Sequence, residues 1–232
     1  MVANNIYEDG TYFKNNPTWD VEDSPWKANH VLKILQRNNI IPSTICEIGC
    51  GAGEILNCLS SAYGNNALCS GYEISPQAFG ICKNKEKHNL HYYLCDMLNE
   101  DVKFDVALAI DVIEHVEDYF QFLRKLREKA VYKVFHIPLD LSLQSILLSK
   151  PILHVREIGG HINYFTKDIA LKTLEDTGYD VVDYFYTDDY SGLPLFSWNV
   201  NLRKLPRNIL FRVNQDLTAR FLCGFSLMIL AK

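Results

Sequence analysis

The tightest constraint on this chain is the run Glu47-Ile48-Gly49-Cys50-Gly51-Ala52-Gly53, three glycines at alternate positions directly after the short β-branched stretch Thr44 to Ile48. An apolar stretch of that length stopped by glycine reads as a buried strand feeding a turn. Glycine lets the backbone pass close to a ligand, and a helix opening near Gly53 or Glu54 offers unpaired N–H groups to a carboxylate or phosphate. By itself the turn does not say which of these it receives.

The rest of the chain repeats the same alternation. Ser24 and Pro25 place an N-cap and a first-turn proline ahead of Trp26, Val31, Ile34 and Leu35, so a helix is expected from Pro25 to Asn38. Strands follow at Leu68 to Ile74, Leu90 to Leu94, Phe104 to Ile110 and Val131 to Ile137, with helices at Pro76 to Lys87 and Asp118 to Lys129. Strands separated by helices predict a parallel sheet. Thr166 opens another helix that ends at Gly178, a strand runs from Tyr179 to Tyr186, and Phe225 to Ala231 closes the chain. Residues 1–232 read as one domain, with 1–40 as an N-terminal cover and helix, and 139–164 and 187–224 as lids outside the alternation.

Composition narrows the function. With 23 Lys+Arg against 28 Asp+Glu the net charge is −5, which offers no general attraction to phosphate backbones, so no nucleic-acid partner is expected. Cysteines 46, 50, 58, 69, 82, 95 and 223 form no CxxC pair, so neither a metal site nor a disulfide framework is expected, and reduced thiols predict a cytoplasmic protein. Met1 to Asn16 lacks the basic start and apolar run of a secretory signal, and Leu141 to Leu148 and Phe221 to Ala231 fall short of the roughly 20 residues that cross a bilayer, so no stable membrane insertion is expected.

Acids stand at successive strand ends. Glu73 lies about 20 residues beyond Gly53, where α/β nucleotide folds place a carboxylate on ribose hydroxyls. Cys95-Asp96-Met97 closes the next strand, setting an acceptor for an exocyclic amine beside an apolar side chain that can pack on a purine. Each acid singly is also an ordinary strand-end residue.

These residues, together with Tyr72-Glu73-Ile74-Ser75-Pro76, Phe104-Asp105-Val106, Asp111-Val112-Ile113-Glu114-His115-Val116, Gly160-His161-Ile162-Asn163-Tyr164-Phe165-Thr166 and Thr177-Gly178-Tyr179, resemble the class I S-adenosylmethionine-dependent methyltransferases, closest to the small-molecule branch of ubiquinone-type O-methyltransferases. The resemblance spans about residues 24–186 and adds the final strand. It implies a doubly wound, Rossmann-like seven-stranded sheet, mostly parallel with one antiparallel strand and helices on both faces. It also implies S-adenosylmethionine as cofactor. Glu47, Gly49, Cys50, Gly51 and Gly53 would surround the methionine part, Glu73 would hold the ribose, and Asp96 would take the adenine amine. Ile74 and Met97 would flank the ring, and the backbone around Ile110 would face the sulfonium.

The implied activity is O- or N-methylation of a small-molecule acceptor by direct displacement. Two rivals stand beside it. An NAD-dependent oxidoreductase would need the third fingerprint glycine at position 54, where Glu54 opposes a pyrophosphate. A methyltransferase-like binding protein without turnover would keep the cofactor residues. If the acceptor is a hydroxyl, His115 or His161 is the candidate general base; the structural alternatives are that His115 orients its loop and His161 latches a lid. His136 reads as a satisfied strand residue. Tyr7, Tyr12, Phe13 and Trp19 either cover the cofactor or pack on the body, and Arg203, Lys204, Arg207 and Arg212 either meet an anionic substrate or a membrane surface or stay solvated on a lid face. The apolar stretches Leu141 to Val155 and Leu193 to Leu205 either suggest a small or partly greasy acceptor or pack against the body. The acceptor's identity and the oligomeric state are not written in the sequence.

Overall fold

A computed structural model describes residues 10–19, 21–188, 207 and 209–232. In chain order the elements are α1 (Thr11–Asn15), α2 (Ser24–Arg37), β1 (Thr44–Ile48), α3 (Glu54–Tyr63), β2 (Leu68–Glu73), α4 (Pro76–Cys82), β3 (Leu90–Leu94), β4 (Phe104–Ile110), α5 (Tyr119–Arg127) and β5 (Ala130–Pro138). They continue with α6 (Leu143–Leu148), α7 (Lys150–His154), a π-turn (Val155–Gly159), α8 (Lys167–Asp176), β6 (Val181–Asp188), α9 (Gln215–Phe221) and β7 (Phe225–Ala231).

The seven strands form one sheet in the order β3-β2-β1-β4-β5-β7-β6. β1 to β5 pair in parallel, and β7 inserts antiparallel between β5 and β6. Strand order reverses between β1, which leads on to β2, and β4, which lies on its other side; the crevice of a doubly wound sheet opens at such a reversal.

Both sheet faces are dry because the central strands are apolar on both sides. In β7, Leu227, Ile229 and Ala231 join one core while Met228 and Leu230 join the other, the period-2 alternation of a strand covered on both faces. Phe122, Leu123 and Leu126 of α5 and Ala170 and Leu174 of α8 cover the first face. Val31, Ile34 and Leu35 of α2 and Leu56 and Leu59 of α3 cover the second.

Several boundaries differ from expectation, most by a residue or two. Asp23, not Ser24, is the N-cap of α2, and Ser24 is its first helical residue. α4 stops at Cys82 and tightens into a 3-10 turn over Lys83–Lys85, because Glu86 is drawn back to accept hydrogen bonds from Lys83 Nζ (2.8 Å) and the Tyr92 N–H (3.0 Å). β6 begins at Val181 rather than Tyr179, since the Tyr179 ring is buried and its hydroxyl donates to Leu123 O (2.7 Å). β6 also extends to Asp188, so the stretch expected as a lid from 187 begins within the strand; its residues 189–206 lie outside those described. Residues 139–164 form α6, α7 and the π-turn, between β5 and α8.

Candidate active site

The glycine turn is built as the spacing requires. Gly49, Gly51 and Gly53 all have positive φ, at 64°, 53° and 76°. A Cβ on Gly53 would lie 2.6 Å from the Tyr92 ring, whose hydroxyl donates to Gly53 O (2.6 Å). A side chain there meets both strain and a clash.

The turn opens on a cavity of about 200 Å³. Glu47, Gly49, Cys50, Gly51, Gly53, Glu73, Ile74, Ile110 and His115 all line it, so nine of the sequence-derived site residues converge on one space. Three do not. The Asp96 carboxylate is turned onto its own chain, accepting from the Leu98 N–H (2.9 Å) and Asn99 Nδ2 (3.1 Å) as the cap of a short 3-10 turn. The Met97 side chain is fully buried in the sheet-face core, so it does not flank this cavity. His161 stands beside His115, outside the lining.

Glu73 ties the turn together. Its carboxylate accepts from the N–H groups of Gly51 (2.7 Å), Ile74 (2.8 Å) and Ser75 (2.8 Å), and burial raises its pKa although these three bonds pull the other way. Glu47 is only 2% exposed, and its Oε2 has no hydrogen-bond partner among the described residues. Burial, with Glu73 adding to it, drives the Glu47 pKa well upward against the pull of Lys27. A buried carboxylate oxygen without a partner is costly, and a cationic ligand group arriving in the cavity removes that cost.

The same cavity carries a charged network the sequence reading did not find. Lys27 of α2 lines the cavity and donates to Asp23 (2.8 Å) and Asp111 (2.7 Å). Burial would lower the Lys27 pKa, but these two carboxylates outweigh it and hold the ammonium charged. Asp111, just past β4, has the left-handed φ of 53° and takes a second bond from His136 Nδ1 (2.6 Å), whose other ring nitrogen meets Thr187 Oγ1 (2.8 Å). Burial opposes ionisation of Asp111, and His136 and Lys27 overcome it. His136 is thus the satisfied strand residue expected of it.

At the other end, residues 113–116 meet 160–163. The backbone oxygen of Glu114 accepts from Ile162 N (2.8 Å) and Asn163 N (3.0 Å), while Asn163 Nδ2 donates to Ile113 O (3.1 Å) and Val116 O (2.7 Å). Asn163 thus ties the two segments together. His115 Nδ1 contacts Gly160 O (3.2 Å), His161 Nδ1 contacts Asp140 Oδ2 (2.7 Å), and the two rings meet edge-on at 4.9 Å. Glu114 is fully buried, and among the described residues neither carboxylate oxygen has a hydrogen-bond partner. Burial and the Asp111 charge push its pKa up to about 8. Burial, reinforced by His161, lowers His115 to about 4, whereas Asp140 and Glu114 raise His161 against its own burial. Ligand atoms of Glu114, His115 and His161 lie within 4.8 Å of one another, a grouping compatible with a cation that cysteine spacing could not reveal.

Of the leader aromatics, Tyr12 and Trp19 line the cavity, with ring centroids 4.8 Å apart and Tyr12 6.5 Å from His115. Phe13 is not in the lining, and Tyr7, Arg203 and Lys204 lie outside the described residues. Arg207 is held by Asp188 (3.1 Å) and sits over the Phe225 ring.

The sequence pattern of a family described as "Methyltransferase domain" matches residues 27–184. The chain belongs to that methyltransferase family. Relatives include norajmaline N-methyltransferase of Rauvolfia serpentina, 33% identical over 37% of this chain and 31% of that protein, and ubiquinone biosynthesis O-methyltransferase of Rickettsia typhi, 30% identical over 40% and 38%. The chain thus spans about a third of the length of these curated relatives. The methyltransferase fold recurs in a putative methyltransferase of Haloferax volcanii solved with its activator Trm112, at TM-score 0.65 and 12% identity over 99% of this chain and 96% of that one. It recurs in magnesium protoporphyrin IX methyltransferase of Synechocystis with bound SAH, at TM-score 0.59 and 17% identity over 89% and 81%. Among the described residues no helix is long and apolar enough to cross a membrane.

Proposed function

We propose that this chain transfers the methyl group of S-adenosylmethionine to an oxygen or nitrogen of a small-molecule acceptor. The observation that carries this reading is that one cavity is lined both by a buried Glu47 carboxylate, one oxygen of which has no partner among the described residues, and by the Lys27 ammonium. A zwitterionic amino-acid end matches both, its ammonium toward Glu47 and its carboxylate toward Lys27. Glu73 is the group to receive the ribose diol, and Ile74, 42% exposed at the rim, offers an apolar surface to the purine. Asp96 can serve the adenine amine only by releasing its cap on Leu98 and Asn99.

The cofactor supplies an activated methyl on a sulfonium; the protein's work is alignment and exclusion of water. Tyr12 and Trp19 form the cover on the acceptor side. His115, on the cavity wall, has a lowered pKa that keeps its ring neutral near pH 7, the form a general base for an acceptor hydroxyl needs. His161, held charged more readily by Asp140, serves better as a neighbouring relay than as the first acceptor. Seven unpaired cysteines fit a reducing cytoplasm, and residues 1–232 are read as one domain.

The dehydrogenase alternative is disfavoured because Glu54 lines the cavity at the first turn of α3, its charge set against a pyrophosphate. Titration calorimetry tests the reading: S-adenosylmethionine and its demethylated product should bind and NAD should not. Glu47→Gln should weaken the amino-acid end. Absence of heat with either adenosyl compound rejects the proposal, and binding without turnover across an acceptor screen favours the silent alternative.

A further inference from the structure

Methyl transfer leaves one face of the molecule unexplained. In α6, Leu143, Ile146, Leu147 and Leu148 are all largely exposed, Leu147 reaching 73%, and Leu153 and Ile158 continue the apolar surface through α7 and the π-turn. α6 also packs against α9, and Cys223 N donates to Gln144 Oε1 (3.2 Å), so Leu217 and Phe221 of α9 extend the same surface. A six-residue helix showing three consecutive large aliphatic side chains to water exceeds the scattered exposure normal for a protein surface.

The charge on this face runs opposite to that of the chain. Of the 28 acidic residues only Glu157 and Asp216 fall within 141–160 and 207–221, and Asp216 is already engaged by Lys167 and Arg220. Lys150, Arg156 and Arg212 are exposed there against Glu157, on a chain whose net charge is −5. A second copy meeting this face symmetrically would set those cations against themselves. Aliphatic side chains rimmed by cations suit an anionic bilayer surface, which takes the apolar groups into its headgroup boundary and attracts the rim.

We propose that the face formed by α6, α7, the π-turn and α9 seats the protein peripherally on an anionic lipid surface. The seat adjoins the cavity cover, because Asn16 Nδ2, just after α1, donates to Ile158 O (3.3 Å) and α1 carries Tyr12 over the cavity. A partly apolar acceptor dissolved in the bilayer would then reach the site without crossing water.

Co-sedimentation of the full chain with vesicles tests this without any knowledge of the acceptor. The protein should bind vesicles of phosphatidylcholine containing phosphatidylglycerol, bind weakly to phosphatidylcholine alone, and release as salt is raised. The pair Leu147→Glu and Leu148→Glu should weaken binding about tenfold or more. Lys150→Glu with Arg156→Glu should weaken it about tenfold and remove most of the salt dependence. None of the four residues lines the cavity, so affinity for S-adenosylmethionine should hold in both variants. Failure to bind anionic vesicles at low salt overturns the proposal, as does equal binding by the leucine variant. A dimer in light scattering that Leu147→Glu converts to monomer, with no vesicle binding by the wild type, assigns the face to a contact between copies instead.

Discussion

The two ends of the cavity are made by different means. At the glycine turn the wall is largely main chain, from a few neighbouring strand ends: β1 feeds directly into the turn, and Glu73 at the tip of β2 accepts from the turn's Gly51 N–H. At the His115 end it is side chains from segments far apart in sequence, His115 and Val116 beyond β4 with Tyr12 and Trp19 from the leader. A wall of backbone is conveyed by a short motif, whereas a wall of converging side chains exists only once the chain has folded. The first end is suited to a ligand shared across a family, and the second to whatever partner an individual member uses.

That contrast breaks most sharply at Gly53. Gly53→Val should abolish measurable cofactor binding and lower stability by about 2–4 kcal/mol through its left-handed strain and the clash with Tyr92. A folded variant with wild-type affinity in calorimetry would show that the turn is not the binding wall. At the opposite end, His115→Ala should reduce turnover by about 100-fold while cofactor affinity stays within a few-fold; equal losses in both would merge the two ends into one unit. Glu73→Ala should weaken cofactor affinity by about 1.5–3 kcal/mol, measured by calorimetry, since a charge-assisted acceptor is lost.

The smallest effect concerns pH. Glu114 has its folded pKa raised from 4.5 to about 8, so the folded state holds a proton that the unfolded state releases, and stability falls as pH rises through that window. His161, also raised, contributes stability that is present below about pH 6.5 and lost as pH climbs through its folded pKa. Denaturation between pH 6.5 and 8 should therefore show declining stability, and Glu114→Gln should flatten the decline. An unchanged slope would mean that Glu114 is ionised in the folded protein.

The sheet was readable because its strands are short apolar runs punctuated by glycine, proline and acids, signals that act over a few residues. Boundaries slipped where a contact distant in sequence intervened, as when the Tyr179 hydroxyl reached Leu123 and delayed β6. Asp96 and Met97 stand at the strand end where spacing put them, yet side-chain direction was not in the spacing: one caps its own turn and the other fills the core. Lys27 went unnoticed because a lysine on a surface-patterned helix looks solvated until Asp23 and Asp111 are known to enclose it. Glu114 was visible in its motif, but its burial was not.

The chain of contacts from Lys27 through Asp111 and His136 to Thr187 draws on α2, the loop after β4, β5 and β6. Replacing one member strands a partner in the interior, so single-step drift at these four positions is penalised although each is chemically ordinary. Across descendants of this gene the quartet should be inherited or exchanged as a block, which makes it a lineage marker independent of the glycine motif.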